Sequence, residues 1–391
     1  MTSAARAAVV AAAALAGGCS LFGRDRNTGE PPAELQDFEA SLEVRELWST
    51  RVGGSSEDLR LGLRPTTDGM RVYAGTHDGR AAALDAETGR EIWSVRTDLP
   101  LSAGPGYAAG LLAFGTTDGQ LVLLDAETGE ERWRVQVGSE VLAAPAIGSD
   151  VVALRSTDGR LRGFSIVNGE ELWTVEQSPP PLIVRGDTEP EIAGQIVVAG
   201  FDNGRIGAYR LDTGVALWEL AIGNPTGRTE LDRLVDVSGD LLILGNDVFA
   251  VGYQGSLVSA DLNTGLVLWR QDMSSLAGLD VDLSRVYVTN DVGYVVALSR
   301  ANGNVQWTQE GLRLRDVTAP TRFGPAVVVG DFEGYLHWLD LDDGSFVARV
   351  RAGSARIPEA PIVVGSSLVV QSGDGRIAAF TTVEEQEEEE D

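Results

Sequence analysis

The 391-residue sequence contains no lysine, a single cysteine (Cys19) and two histidines. One cysteine excludes an intrachain disulfide framework and any thiolate metal cluster. His77 and His337 lie far apart with no ligand spacing between them, so they read as surface or packing residues. The net charge is −27 and every cation is arginine, a balance that repels nucleic acid and anionic lipid. Part of the excess is local, because 384–391 is a self-repelling acidic tail that reads as solvated and disordered. The one long apolar run, Ala7 to Ala16, is too short to cross a bilayer. After it no stretch repeats apolar residues at three- and four-residue spacing, which excludes a helical domain and leaves an all-β chain. There is no Ser-His-Asp order, no phosphate-cradling loop and no basic stripe laced with aromatics. The sequence therefore offers no catalytic, cofactor-binding or metal-binding residue.

What is present begins at the N-terminus. Arg6 followed by the apolar run has the layout of a secretory signal. Leu15-Ala16-Gly17-Gly18-Cys19-Ser20 resembles a bacterial lipobox. That resemblance implies cleavage before Cys19 and acylation of its thiol and new amino group, the several chains that stable anchoring requires. Ser20, where inner-membrane lipoproteins typically carry Asp, implies the outer membrane, facing the periplasm. The expected organisation is a signal peptide at 1–18, a lipid-anchored linker at 19–41, a folded domain at 42–383 and the tail at 384–391.

The folded part repeats with a period near forty, a length that calls for a propeller or solenoid. One unit runs Val72-Tyr73-Ala74-Gly75-Thr76-His77-Asp78-Gly79, then Ala83-Leu84-Asp85-Ala86-Glu87-Thr88-Gly89, then Ile92-Trp93. Further copies end at Trp133, Trp173, Trp218, Trp269 and Trp307, and a seventh places Ala348 at the tryptophan position. In each unit two turn glycines stand ten residues apart, from Gly79 and Gly89 to Gly334 and Gly344. Asp-Gly between apolar runs is a strong hairpin signal, since tight turns need positive φ. Asp85, Asp125, Asp261 and Asp340 precede the second turn, where a carboxylate accepts backbone N–H groups, and they read as structural. Four-stranded antiparallel blades in a ring suit this pattern, with one large aromatic per blade wedged against its neighbour. An eighth unit starting at Pro361 lacks its last strand, while Leu42 to Thr50, with Trp48, looks like a last strand with no first three. This N-terminal strand is expected to close an eight-bladed β-propeller.

The pattern Ala-x-Asp-x-x-Thr-Gly-x-x-x-Trp at 83–93, and its Leu variant at 123–133, resembles the repeats of quinoprotein (PQQ)-like propellers. Within that group the chain resembles the BamB family, lipoprotein subunits of the outer-membrane β-barrel assembly (BAM) machinery, from the lipobox to Thr382. Val184-Arg185-Gly186-Asp187, Thr229-Glu230-Leu231-Asp232-Arg233-Leu234 and Gly334-Tyr335-Leu336-His337-Trp338 add to the likeness. The resemblance implies a non-enzymatic scaffold that binds the POTRA domains of BamA, with other BAM subunits and nascent outer-membrane proteins as further partners. Quinone-dependent alcohol dehydrogenases share the repeat but add an adjacent cysteine pair, a calcium site and a catalytic Asp. Two alternatives stay open: a periplasmic lipoprotein propeller that binds cell-wall or peptide ligands, and a relative of those dehydrogenases.

Function is expected where the repeat is broken, because loops on a rigid frame carry specificity. The breaks are Gln177 to Pro190, containing Pro179-Pro180-Pro181, and Ala221 to Val237. Both follow a fourth strand and should leave on the side of the second-to-third turn. A tri-proline stiffens the chain and presents Leu182 and Val184 at low ordering cost, with Arg185 as a directional donor. The family resemblance implies partner contacts at Leu182, Val184, Arg185 and Asp236, and a second acidic position of that pattern falls on Ser238.

Overall fold

A computed structural model describes residues 30–54, 59, 61–178, 180, 182–183, 188–223, 229, 234–237, 239 and 241–383. Cys19, Val184, Arg185, Ser238 and the acidic tail lie outside these residues. The described elements are strands, grouped into eight four-stranded antiparallel sheets. Blades one to seven each use four consecutive strands: 66–96, 101–136, 146–176, 191–221, 241–272, 278–309 and 321–351. Blade eight is closed as the sequence implied. Strand β1 (Glu43–Arg51) pairs with Arg376–Val383, from Glu43 opposite Val383 to Arg51 opposite Arg376.

Burial differs between strands for a geometric reason. The middle strands of a blade are covered on both faces by neighbouring blades, so Arg71–Gly75 and Arg80–Asp85 are buried without alternation. The outermost strands meet solvent on one side and alternate, as in Glu131–Gln136. Each junction holds its own apolar cluster. Blades one and two share Tyr73, Ala83, Leu112 and Phe114, and the closing junction between blades eight and one shares Trp48, Val369, Val72 and Leu84. The innermost strands ring a channel: Thr66, Tyr107, Ile147, Ile192 and Ile362, from five blades, line one open cavity of about 320 Å³ there.

The repeated tryptophan and the second turn glycine form a single clamp across seven of the eight junctions. Trp269 Nε1 donates to Arg300 O in the third-to-fourth turn of blade six (2.7 Å), and its ring covers Gly303 in the same turn. Trp48, Trp93, Trp133, Trp173, Trp218 and Trp307 donate to the matching carbonyls of Ala86, Ala126, Ile166, Leu211, Leu262 and Leu341. A Cβ on Gly303 would lie 2.5 Å from Trp269 Cε3, so glycine is required by the ring above it as well as by its φ of +72°.

The junction between blades seven and eight does without the clamp on both sides. Blade seven has Ala348, and blade eight has no third-to-fourth turn because two chain ends meet there. Trp338, directly across from Ala348 on the neighbouring strand, fills the space and meets Phe380 edge-on. The repeat carboxylates have the expected structural role. Asp125 Oδ1 accepts the amides of Glu127 and Thr128, and Asp261 Oδ1 those of Asn263 and Thr264.

The segment expected as linker up to residue 41 is docked on the propeller from Ala33 onward. Ala33 N donates to Arg313 O (2.9 Å), Phe38 stacks on Phe346 at 5.5 Å, and the amides of Ser41 and Leu42 both reach Val347 O.

Candidate functional site

Every connection leaving a blade starts beside that blade's second-to-third turn. Thr97 N donates to Gly79 O, Val137 N to Gly119 O, Gln177 N to Gly159 O and Ile222 N to Gly204 O, at 2.8 to 3.1 Å. Both insertions therefore rise from the same face, on adjacent blades.

The first insertion is fixed at both ends. Gln177 carries three side-chain bonds, Nε2 donating to Glu219 Oε1 and Tyr209 Oη and Oε1 accepting from Asn203 Nδ2, which hold it against blade four. At the far end Thr188 is buried and its hydroxyl donates to Val237 O, the last residue of the second insertion. Thr188 and Val237 also pack together over Gly200, where a Cβ would lie 2.5 Å from Val237 Cγ1. The described ends of the two insertions, which leave successive blades, are thus joined. Nearby, Arg155 of blade three and Asp202 of blade four form a buried ion pair.

The second insertion is fastened to blade five. Gly223 bridges Gly255, and Asp236 bridges Tyr253, with Tyr253 N donating to Asp236 O at 2.7 Å. This pairing carries Asp236 under the loop, and its side chain is completely enclosed. Asp236, expected as a partner contact, is thus enclosed in the free chain, with its main chain paired to the second-to-third turn of blade five. Leu182 is 42% exposed, an apolar side chain held outward as expected, and Ile183 beside it is half-buried.

Sequence reasoning missed Gln177, Thr188, Asn203 and Tyr253, which hold the insertions in place. Gln177 and Thr188 signal themselves only as polar residues toward the ends of the first insertion, and Asn203 and Tyr253 only as residues of second-to-third turns, where main-chain groups need partners.

The two histidines are packing residues. His77 Nδ1 lies 2.9 Å from Leu101 O. His337 is completely buried, with Nε2 3.0 Å from Asp331 Oδ2 and Nδ1 accepting from Arg349 Nε at 3.1 Å. Among the described residues no group of three or more His, Cys, Asp or Glu side chains is placed to hold a metal ion.

The comparisons with known proteins agree with this architecture. The family model described as outer membrane protein assembly factor BamB matches residues 28–101 and 77–309. A Pseudomonas aeruginosa protein of that description is 41% identical over 375 residues, covering 96% of this chain and 98% of the relative. A second, from Alkalilimnicola ehrlichii, is 41% identical over 352 residues, covering 90% and 92%. The crystal structure of BamB from Moraxella catarrhalis superposes with a TM-score of 0.79 at 27% identity, over 87% of this chain and all of that one. A quinohemoprotein alcohol dehydrogenase from Comamonas testosteroni superposes at 0.69 with 13% identity and shares the fold alone. With a family match across most of its length and relatives above 40% identity end to end, the chain belongs to the BamB family of outer membrane protein assembly factors.

Proposed function

We propose that the chain is a non-enzymatic scaffold of outer-membrane protein assembly. It is held to the outer membrane by a lipid on Cys19, faces the periplasm, and binds the POTRA domains of a BamA-type partner through its insertion face. The observation that carries this reading is the joining of the ends of two repeat-breaking insertions through Thr188 and Val237, with Leu182 exposed on the first. Relatives of nearly the same length are named as assembly factors and not as enzymes.

Leu182, Val184 and Arg185 form the contact, an apolar pair beside a guanidinium, the composition of an interface centre. Asp236 supports that contact from below by pairing with Tyr253, which fixes the end of the second insertion. The acidic surface, with a net charge of −27, would steer the scaffold toward basic partner surfaces and away from anionic headgroups.

The test is affinity capture of the full-length, tagged chain from detergent-solubilised envelopes, with co-eluting proteins identified by mass. A large POTRA-bearing barrel protein is expected in the eluate. Its absence, with the chain itself intact and in the membrane fraction, would overturn the reading.

A further inference from the structure

The docked N-terminal segment has a built seat. Arg315 Nη1 donates to Ala33 O (3.0 Å) and Arg349 Nη1 to Gln36 O (3.0 Å), so two guanidiniums hold two main-chain carbonyls of the segment. Phe38 lies between the rings and charges of the seat, stacked on Phe346 with the Arg349 guanidinium 5.0 Å from its centroid.

Both arginines are held from behind by one buried pair. Asp331 Oδ2 accepts from Arg315 Nε (2.9 Å), Arg315 Nη2 (2.8 Å) and His337 Nε2 (3.0 Å), while its Oδ1 accepts the amides of Glu333 and Tyr335. Arg349 Nε can only donate, so His337 Nδ1 must be the acceptor and the ring proton must sit on Nε2, facing Asp331. The neutral imidazole thus relays the carboxylate's orientation to Arg349.

We propose that Asp331 and His337 are positioning residues of a docking seat for residues 33–42, holding Arg315 and Arg349 so that the N-terminal segment stays strapped across blade seven. The strap begins at Arg313, in the connection between blades six and seven. That connection lies beside the second-to-third turns, since Leu314 N donates to Val292 O and Phe332 N to Arg315 O. The chain that leads back to Cys19 therefore leaves the propeller on the insertion face. This consequence rests on the lipid-anchor reading of Cys19, whereas the strap does not. With the strap docked, about thirteen residues separate Cys19 from the seat, which even fully extended span at most about 45 Å. Release as far as Leu42 would add ten residues and about 35 Å. The seat thereby sets how far the partner-binding face can travel from the membrane.

The experiment is limited digestion of the full-length chain with a glutamyl-specific protease, which reads cleavage at the exposed Glu34 and Glu39, paired with a urea midpoint for the propeller. Arg349→Met, His337→Phe and Phe38→Ser are compared with the parent. Cleavage in 33–42 at least tenfold faster, with the midpoint unchanged for Arg349→Met and Phe38→Ser, is the expected result. His337→Phe should follow Arg349→Met in cleavage, because Phe keeps an aromatic ring there but has no nitrogen to donate to Asp331 or accept from Arg349. Cleavage at the parent rate in all three variants would overturn the proposal, and so would faster cleavage that appears only with a lowered midpoint. Membrane fractionation of the parent beside Cys19→Ala tests the anchor separately, so failure of the anchor and failure of the seat are distinguishable.

Discussion

If a tryptophan ring and a turn glycine form one clamp at each junction that has both, alanine at that glycine should cost more than its backbone conformation explains. Gly303 and Gly365 both have positive φ, +72° and +59°. A Cβ at Gly365 meets nothing within 4 Å, whereas at Gly303 it would lie 2.5 Å from Trp269 Cε3 and 3.0 Å from Cδ2 and Cζ3. Forcing an L-residue left-handed costs about 1–2 kcal/mol, which is the whole expected effect of Gly365→Ala. Gly303→Ala adds an overpacking cost of about 1–3 kcal/mol, because the ring is held by its hydrogen bond to Arg300 O and by the cluster around it. With an m of about 3 kcal/mol per molar urea, the two variants should differ in midpoint by about 0.3 to 1 M. Trp269→Ala alone should cost about 3–5 kcal/mol. In that background Gly303→Ala should fall back to about the cost of Gly365→Ala, a coupling of about 1–3 kcal/mol. Far-ultraviolet circular dichroism is the assay, since it does not depend on the tryptophan removed. Equal midpoints for Gly303→Ala and Gly365→Ala, or strictly additive costs in the double variant, would refute the clamp.

Other consequences follow from the same structure. Asp202→Ala takes one carboxylate away from the buried Arg155 guanidinium and should lower the urea midpoint of the propeller. A chain lacking residues up to Arg51 exposes the edge of Arg376–Val383 and should aggregate on expression, and a soluble ring of parental stability would contradict closure by the N-terminal strand. Burial holds His337 below its ordinary value, with the Asp331 hydrogen bond opposing, so the unfolded chain binds more protons and stability must fall as pH drops below about 6.5. The charged or titratable groups facing this imidazole are Asp331, Arg315, Arg349 and Tyr335, with Glu333 and the strap's Asp37 just beyond. Burial alone would raise Asp331, but its hydrogen bond from His337 and the Arg315 charge keep it below its ordinary value, so its own loss begins only below about pH 3.8. The parental urea midpoint should accordingly decline as pH falls below about 6.5, and His337→Phe should flatten that decline.

The ring was legible because its signals are local and repeated. The ten-residue interval between turn glycines marks hairpins, and the solitary Trp48 strand has no partners nearby, so it had to complete blade eight. What lay hidden depends on contacts between distant segments. Residues 33–41 read as linker, yet their partners Arg315 and Arg349 stand 282 and 313 residues away in the chain. Asp236 reads as an acidic surface residue until its main chain is seen paired with Tyr253. The absence of a tryptophan at Ala348 was visible, but its compensation by Trp338 requires the register that sets the two side by side. The outward position of Leu182 was legible from the tri-proline before it. The joining of the two insertions was not, since Thr188 and Val237 are joined by a hydrogen bond and not by sequence pattern.

The central claim is that the insertion face binds a POTRA-bearing partner, and calorimetric titration of the purified chain with isolated POTRA domains tests it most directly. Leu182→Asp and Arg185→Glu, compared with Met70→Asp on an exposed turn of blade one, should each weaken binding at least tenfold while the urea midpoint stays at the parental value. Parental affinity in both insertion variants, or no heat of binding with the parent at all, would contradict the account.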